Sequence, residues 1–314
     1  MPFSILQINS NSVVDDEQLG SKDKFWFELE GQFWLFKEAR TIQTAGGSRV
    51  VTGEDWAEKA AAEIAAQIGV NAARVELAEY EGLRGSASLN FMPVDRTTHL
   101  EHGNEVLGGR VLDYDPDKKQ KQSDHTIDNI VAAIQTMVSG AESTTLLSAL
   151  AGYLVLDALI CNTDRHHENW GLFWKTMSTE AAMEDWETSI PVRAYVAAPT
   201  FDHASSLGRE LLDEKRRRII DQGRIEAYVR KGRGGVYRRT TDSHGENPLQ
   251  LVEFAARRYP DFFMPALGSI SAVPLRTLQG VFDEIPDTRI SATGREFAKL
   301  MLQVTYHALL GLTK

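Results

Sequence analysis

Asn162-Thr163-Asp164-Arg165-His166-His167-Glu168-Asn169 lies between the apolar run Leu146 to Ile160 and the short aromatic stretch Trp170 to Trp174. The apolar run is broken by Ser148 and Asp157 and falls short of the ~20 residues that span a bilayer, so it reads as a buried helix. The octet is then a polar loop between a buried helix and a strand. It carries an Asp and, five residues on, an Asn. Either residue alone is a common turn or cap former. Their company in the rest of the chain decides the reading.

A second carboxylate follows in Ala198-Pro199-Thr200-Phe201-Asp202-His203, at the end of an apolar strand predicted over Pro191 to Phe201. Ahead of both, the strand Trp34-Leu35-Phe36 ends on Lys37. A strand lysine, a loop Asp with its Asn, and a later Asp, in that order, are the parts of a phosphoryl-transfer site. Lys37 would hold nucleotide phosphates and Asp164 would orient a hydroxyl. Asn169 and Asp202 would ligate Mg²⁺, the amide without adding charge. Lys37 needs an anion to orient it. Glu58 on the following helix is the first candidate and Glu63 the second.

Outward from these residues, Phe25 to Leu29 and Gln32 to Lys37 flank Glu30-Gly31 and predict a hairpin. A helix is predicted from Thr52, with Thr52 and Asp55 as a capping box, an apolar face of Trp56, Ala60, Ile64, Ala65 and Ile68, and Gly69 as its end. Strands are predicted at Ala73 to Tyr80 and Ala87 to Met92. The polar stretch 93–126 begins a hinge. Helices are predicted over Ile127 to Val138, Thr144 to Ile160, Asp213 to Lys231, Pro248 to Arg258 and Thr288 to Leu310. The pattern is α+β: a β-rich lobe over 1–92 and a helical lobe over 93–314, with a cleft between them.

The chain has 314 residues, 42% hydrophobic and 25% charged, enough to bury a sizeable core. With 34 basic against 44 acidic residues the net charge is −10, which disfavours nucleic acid as a direct partner. The single cysteine, Cys161, allows no intrachain disulfide. Met1 to Ser10 lacks the pattern of a signal peptide. A cytoplasmic protein without a membrane partner is expected.

The loop 162–169 resembles the N-T-D-x-H-x-x-N catalytic loop of HipA-like kinases. Pro199-Thr200-Phe201-Asp202 is similar to their metal-binding segment, and Phe36-Lys37 to their phosphate-binding lysine. The helix from Ala57-Glu58 to Gly69-Val70 resembles the one that carries the paired glutamate. The resemblance implies a bilobal protein-kinase-like fold, related to phosphoinositide kinases, and transfer of the ATP γ-phosphate to Ser or Thr of a protein substrate with Mg²⁺. It implies Asp164 as catalytic aspartate, Asn169 and Asp202 as metal ligands, Lys37 on phosphate and Glu58 on Lys37. Leu19-Gly20-Ser21-Lys22 matches the phosphate-covering loop. Ser88 to Met92 leads into the hinge, so Asn90 and Phe91 would contact adenine. Ser21 is the candidate for self-phosphorylation. Full-length HipA toxins carry a further N-terminal subdomain, and this chain resembles the shorter CtkA-type members. An antitoxin or other regulatory partner and a toxin-like role also follow from the resemblance alone. A lipid or small-alcohol kinase and a nucleotide-binding pseudokinase are the alternatives.

Several features stand outside that scheme. Asp157, inside an apolar helix, must be paired or hydrogen-bonded and is predicted to hold the loop. Of the adjacent histidines, the resemblance favours His166 as the structural one. The segment 213–239 has ten Lys or Arg against four Asp or Glu, a solvated helix or a docking surface for an acidic or phosphorylated segment. Gly232, Gly234 and Gly235 predict a mobile loop. The tryptophans at 26, 34, 56, 170, 174 and 186 read as core or hinge residues, and Cys161 as a small buried filler.

Overall fold

The computed structural model describes residues 1–16, 24–44, 46–95, 97–177 and 192–313. In chain order the first elements are β1 (Ile5–Ile8), β2 (Val13–Asp16), β3 (Lys24–Leu29), β4 (Gln32–Glu38), β5 (Thr41–Gln43), β6 (Arg49–Val51), α1 (Glu54–Gln67), β7 (Val75–Tyr80) and β8 (Leu83–Leu89). Next come β9 (His99–His102), α2 (Gly103–Gly108), α3 (Ile127–Met137), α4 (Gly140–Ile160), β10 (Gly171–Met177) and β11 (Val192–Ala197). The remainder is helical: α5 (Asp213–Asp221), α6 (Ile225–Lys231), α7 (Pro248–Arg258), α8 (Pro260–Ser271), α9 (Leu275–Glu284) and α10 (Ala292–Gly311). This is the α+β class expected.

Six strands form one sheet in the order β1-β7-β8-β4-β3-β2, with β1 parallel to β7 and the rest antiparallel. The β3–β4 hairpin turns on Glu30 (φ 52°) and Gly31 (φ 74°), the pair of left-handed residues that a two-residue hairpin turn requires. That turn sets Lys24 opposite Lys37 and Trp26 opposite Leu35. Strand alternation then sorts the faces. Phe25, Phe27, Trp34 and Phe36 are buried together with Ala78 and Ala87. Lys24, Trp26, Leu35 and Lys37 face a cleft on the other side.

The start of α1 departs from the sequence reading. Gly53 is the N-cap and no side chain caps the helix. Thr52 is buried with its hydroxyl unpaired. Asp55 is drawn away to two arginines, Arg84 at 3.0 Å and Arg289 at 3.2 Å, because two guanidinium groups hold a buried carboxylate better than a backbone N–H does. The apolar face of α1 packs as predicted, and Gly69 (φ 73°) follows its end.

Around α4 gather α3, α7, α8 and α10. Among the described residues α4 is the one helix apolar and long enough to cross a membrane, and it is mostly buried inside the protein. The basic segment predicted as one helix is two, α5 and α6, broken at Gly223 in the left-handed region (φ 61°). The last helix begins at Ala292 rather than Thr288, where the Ser291 hydroxyl accepts the Gly294 N–H at 3.0 Å. Strand β8 runs from Leu83 to Leu89, shorter at its end than predicted, and β11 stops at Ala197. Trp34, Trp56 and Trp170 are core residues. Pro191 and Trp186 lie outside the described residues.

Candidate active site

Three segments meet at one end of a cleft of about 640 Å³. The sheet contributes Lys24 and Lys37, the loop after α4 contributes Glu168, and the loop after β11 contributes Phe201 and Asp202; Asp164 and Asn169 belong to the same loop as Glu168 but not to the cleft lining itself. Lys37 Nζ lies 3.4 Å from Asp202 Oδ1. The charge of Lys37 first, and that of Lys24 next, holds the Asp202 carboxyl down at about 2. Asp202 sits in the left-handed region (φ 61°), an unusual conformation for a residue with a side chain.

Asp164 is shaped by the opposite effects. Burial and the charge of Asp202 push its carboxyl up, against the pull of His166 and Arg209. Its backbone N–H donates to Asn162 Oδ1 at 3.1 Å, and its carbonyl accepts Asn169 Nδ2 at 2.8 Å. With Nδ2 so engaged, the oxygen of the Asn169 amide is left as an acceptor. Ser205 Oγ approaches Asp164 Oδ2 at 3.5 Å and accepts from Arg209 Nη2 at 3.0 Å. Arg209 is itself anchored on Glu54 of α1 at 2.7 Å.

One buried ion pair ties the loops together. Arg165 donates to both carboxylate oxygens of Asp157 in α4, Nε at 2.7 Å and Nη2 at 2.9 Å. Its Nη1 also donates to the Asn169 carbonyl and, at 3.4 Å, to the Phe201 carbonyl. Asn162 Nδ2 donates to the same Asp157 at 2.8 Å. Asp157 therefore holds the loop, as expected from its burial.

Glu58 requires correction. It does not meet Lys37; its Oε1 accepts the His203 N–H at 2.9 Å and lies 3.7 Å from His203 Nδ1. Lys37 points into the cleft toward Asp202, while Glu58 is buried beneath the segment that carries Asp202. Glu63 is also otherwise engaged, with Lys59 at 2.7 Å. The histidines are reversed as well. His167 is buried and bonded to the Tyr114 hydroxyl at 2.7 Å, whereas His166 is partly exposed and accepts the Glu168 N–H at 3.2 Å. Adjacent rings diverge, and the chain turns the second one inward.

At the hinge the Asn90 N–H donates to the Phe33 carbonyl and Asn90 Oδ1 accepts the Met92 N–H, both at 2.9 Å. The Asn90 side chain thus shapes the turn. Phe91 packs on Phe201 (centroids 5.5 Å apart) and Phe173 (6.1 Å), closing the apolar end of the cleft. Gly20, Ser21 and Lys22, with Leu19, lie outside the described residues. Sequence reading missed Lys24, His102 and Arg209. The two-residue turn of the hairpin carried the signal for Lys24, since it fixes the register; His102 and Arg209 have no local signal.

Residues 18–226 match the HipA-like C-terminal domain family. The chain belongs to that family. Among solved structures, the HipA-like chain is similar to the Helicobacter pylori proinflammatory kinase CtkA, at 16% identity, over 99% of this chain and 97% of that one, with a TM-score of 0.74. It is also similar to HipA of Shewanella oneidensis MR-1, a structure of that toxin–antitoxin system with HipB and operator DNA, at 11% identity over 98% of this chain and 66% of that one, with a TM-score of 0.49. No curated protein matches by sequence. The fold of this HipA-like chain is the kinase-like one that CtkA has.

Proposed function

We propose that this chain is an ATP- and Mg²⁺-dependent serine/threonine protein kinase of the cytoplasm, with nucleotide between lobes divided near residue 92. The observation that carries the reading is the meeting of Lys37 and Asp202 in a cleft with an aromatic end, with Asp164 near enough to feel the charge of Asp202 and Asn169 bonded to the Asp164 carbonyl. Adenine would lie against Phe91 and Phe201. The N–H groups of Asn90 and Met92 are already used, so hinge contacts fall to Phe91 and the carbonyls.

The residues present suit Mg²⁺. That ion takes one or two protein oxygens and fills its remaining positions with phosphate and water. Asp202 supplies a carboxylate held ionised by Lys37, and Asn169 an amide oxygen left over by the bond to Asp164. When bound, Mg²⁺ would offset the charge that develops on the transferring phosphoryl group.

The chain's own work is positional. Lys37 and Lys24 hold phosphate oxygens. Asp164 orients the acceptor hydroxyl, whose oxygen attacks the γ-phosphorus as the bond to the β-phosphate oxygen breaks and ADP leaves. The hydroxyl proton passes to Asp164, whose carboxyl is raised toward the range where it can take one. Glu58 holds the His203 N–H and so fixes the backbone that follows Asp202. A regulatory protein partner belongs to the same proposal; in the Shewanella structure it is HipA that stands with HipB.

The test is transfer of labelled γ-phosphate from Mg-ATP to the protein itself and to a generic protein substrate. Asp164→Ala and Asp202→Ala are measured in parallel. Label on Ser or Thr that disappears in both variants is expected. Retained transfer in Asp164→Ala would sink the assignment.

A further inference from the structure

Beside Asp164, and sharing no lining residue with the nucleotide cleft, lies a second groove of about 610 Å³, within the ~300–1,000 Å³ typical of ligand pockets. Thr163 and Ser205, the neighbours of Asp164, form its floor. Its walls are the loop after Asp202, α5 and α6, with Met301 of α10 behind. The far wall is held against the loop. A Cβ on Gly232 would stand 3.3 Å from the Thr163 methyl, and Asn247 Nδ2 donates to the carbonyls of Val229 at 2.8 Å and Gly232 at 2.9 Å.

The charges in this groove are not distributed like those around it. Along α5 and α6 the outward arginines are paired: Arg217 with Glu296 at 2.8 Å, Arg218 with Glu214 at 3.0 Å, Arg230 with Glu226 at 2.9 Å. Arg216 is paired with Asp213 at 2.9 Å. The cations that line the groove are Arg209, Lys215, Arg224 and Lys231. Arg209 is matched by Glu54, but among the described residues none of Lys215, Arg224 and Lys231 has a carboxylate within ion-pairing distance. The one acid on the wall, Glu210, accepts a hydrogen bond from the Tyr228 hydroxyl. Ile219, Val229 and Met301 provide apolar surface between the cations. A chain with a net charge of −10 thus leaves three cations, without a carboxylate partner among the described residues, in a groove beside Asp164.

We infer that this groove is the acceptor site and that its substrate is an acidic protein segment, with carboxylate side chains flanking the hydroxyl presented to Asp164. The inference rests on the phosphotransfer reading and names its substrate class. Three unpaired cations around an apolar patch favour anionic side chains on carbon stems, and their field repels basic segments. The basic character of residues 213–239 has its use here, at three positions of the ten.

The test uses synthetic peptides of one length with a central serine flanked by Glu, by Ala or by Lys. They are assayed with Mg-ATP beside a generic protein substrate and phosphoinositide vesicles. The Glu-flanked peptide is expected to show the highest kcat/KM, through KM, and to lose that advantage as salt is raised. Lys215→Glu, Arg224→Glu and Lys231→Glu should each cut the Glu-over-Ala ratio of kcat/KM by about tenfold, with the melting temperature unchanged because all three side chains are exposed. Equal rates on the three peptides, with transfer to the generic protein intact, would overturn this inference and leave the kinase reading standing. Transfer to the vesicles in place of peptides would also overturn it. No transfer to any acceptor would overturn both.

Discussion

Asp157 and Arg165, eight residues apart and both buried, form a two-point ion pair that supports the loop of Asp164 from the end of α4. The same guanidinium reaches the carbonyls of Asn169 and Phe201, so both candidate metal-ligand segments hang on one side chain. Removing one partner of such a pair leaves a buried charge uncompensated. Arg165→Met is expected to lower stability by about 3–5 kcal/mol, read by urea unfolding, and to abolish transfer. An unchanged unfolding midpoint would show that the pair is dispensable.

Lys37 answers Asp202 across the cleft, so its loss should be felt on both sides. Lys37→Ala is expected to reduce transfer by roughly 10²–10³-fold. The Asp202 carboxyl should rise from about 2 toward the ordinary value of 3.8, measured by carbon NMR of the carboxylates. An Asp202 that titrates as before would remove Lys37 from the site.

Asp164→Asn separates chemistry from folding. Burial and the charge of Asp202 already oppose ionisation of Asp164, so a neutral amide of the same shape relieves them. Transfer is expected to fall by about 10²–10⁴-fold while the melting temperature holds or rises. A large drop in melting temperature would assign Asp164 to structure.

His125, behind the loop of Asp164, gives the fold a pH dependence of its own. Its Nδ1–H donates to the Gly235 carbonyl at 2.9 Å and its Nε2 accepts the Trp170 indole N–H at 3.1 Å, which uses the neutral ring fully. Burial pushes its pKa from 6.5 down to about 3. Between those values the unfolded chain binds a proton that the folded chain refuses, so stability falls as pH falls through 6.5 and levels near 3. The expected loss is about 1.4 kcal/mol per pH unit within that window. His125→Gln should flatten this part of the stability–pH curve; an unaltered slope would assign it to other groups.

Gly235 is a contact that a side chain cannot enter. A Cβ there would stand 2.6 Å from the Arg165 carbonyl oxygen and 2.8 Å from the His166 nitrogen. The glycines read as a mobile loop are, at this position, the backing of the loop of Asp164. Gly235→Ala is expected to cost about 1–3 kcal/mol in stability and to lower transfer by displacing that loop. Wild-type behaviour on both counts would show that the backbone yields at no cost.

What the sequence determined by itself is what lies within one local stretch or follows from periodicity. Asp164 and Asn169 share a loop of eight residues, the hairpin announces its turn at Glu30-Gly31, α1 shows its buried face in its spacing, and α4 shows its burial in its apolar run. Asp157 had to find a partner because a carboxylate in an apolar helix must. The partner itself, Arg165, was in plain view but had no pattern to single it out. Tertiary structure alone decided the pairings between distant segments. Glu58 turned to His203, Asp55 to Arg84 and Arg289, and His167 rather than His166 went inward. It also decided which cations of 213–239 are neutralised and which face the groove. Helices and turns are written in neighbours a few residues apart, whereas charge pairing depends on which surfaces the packed core brings together, and no short window of sequence contains that.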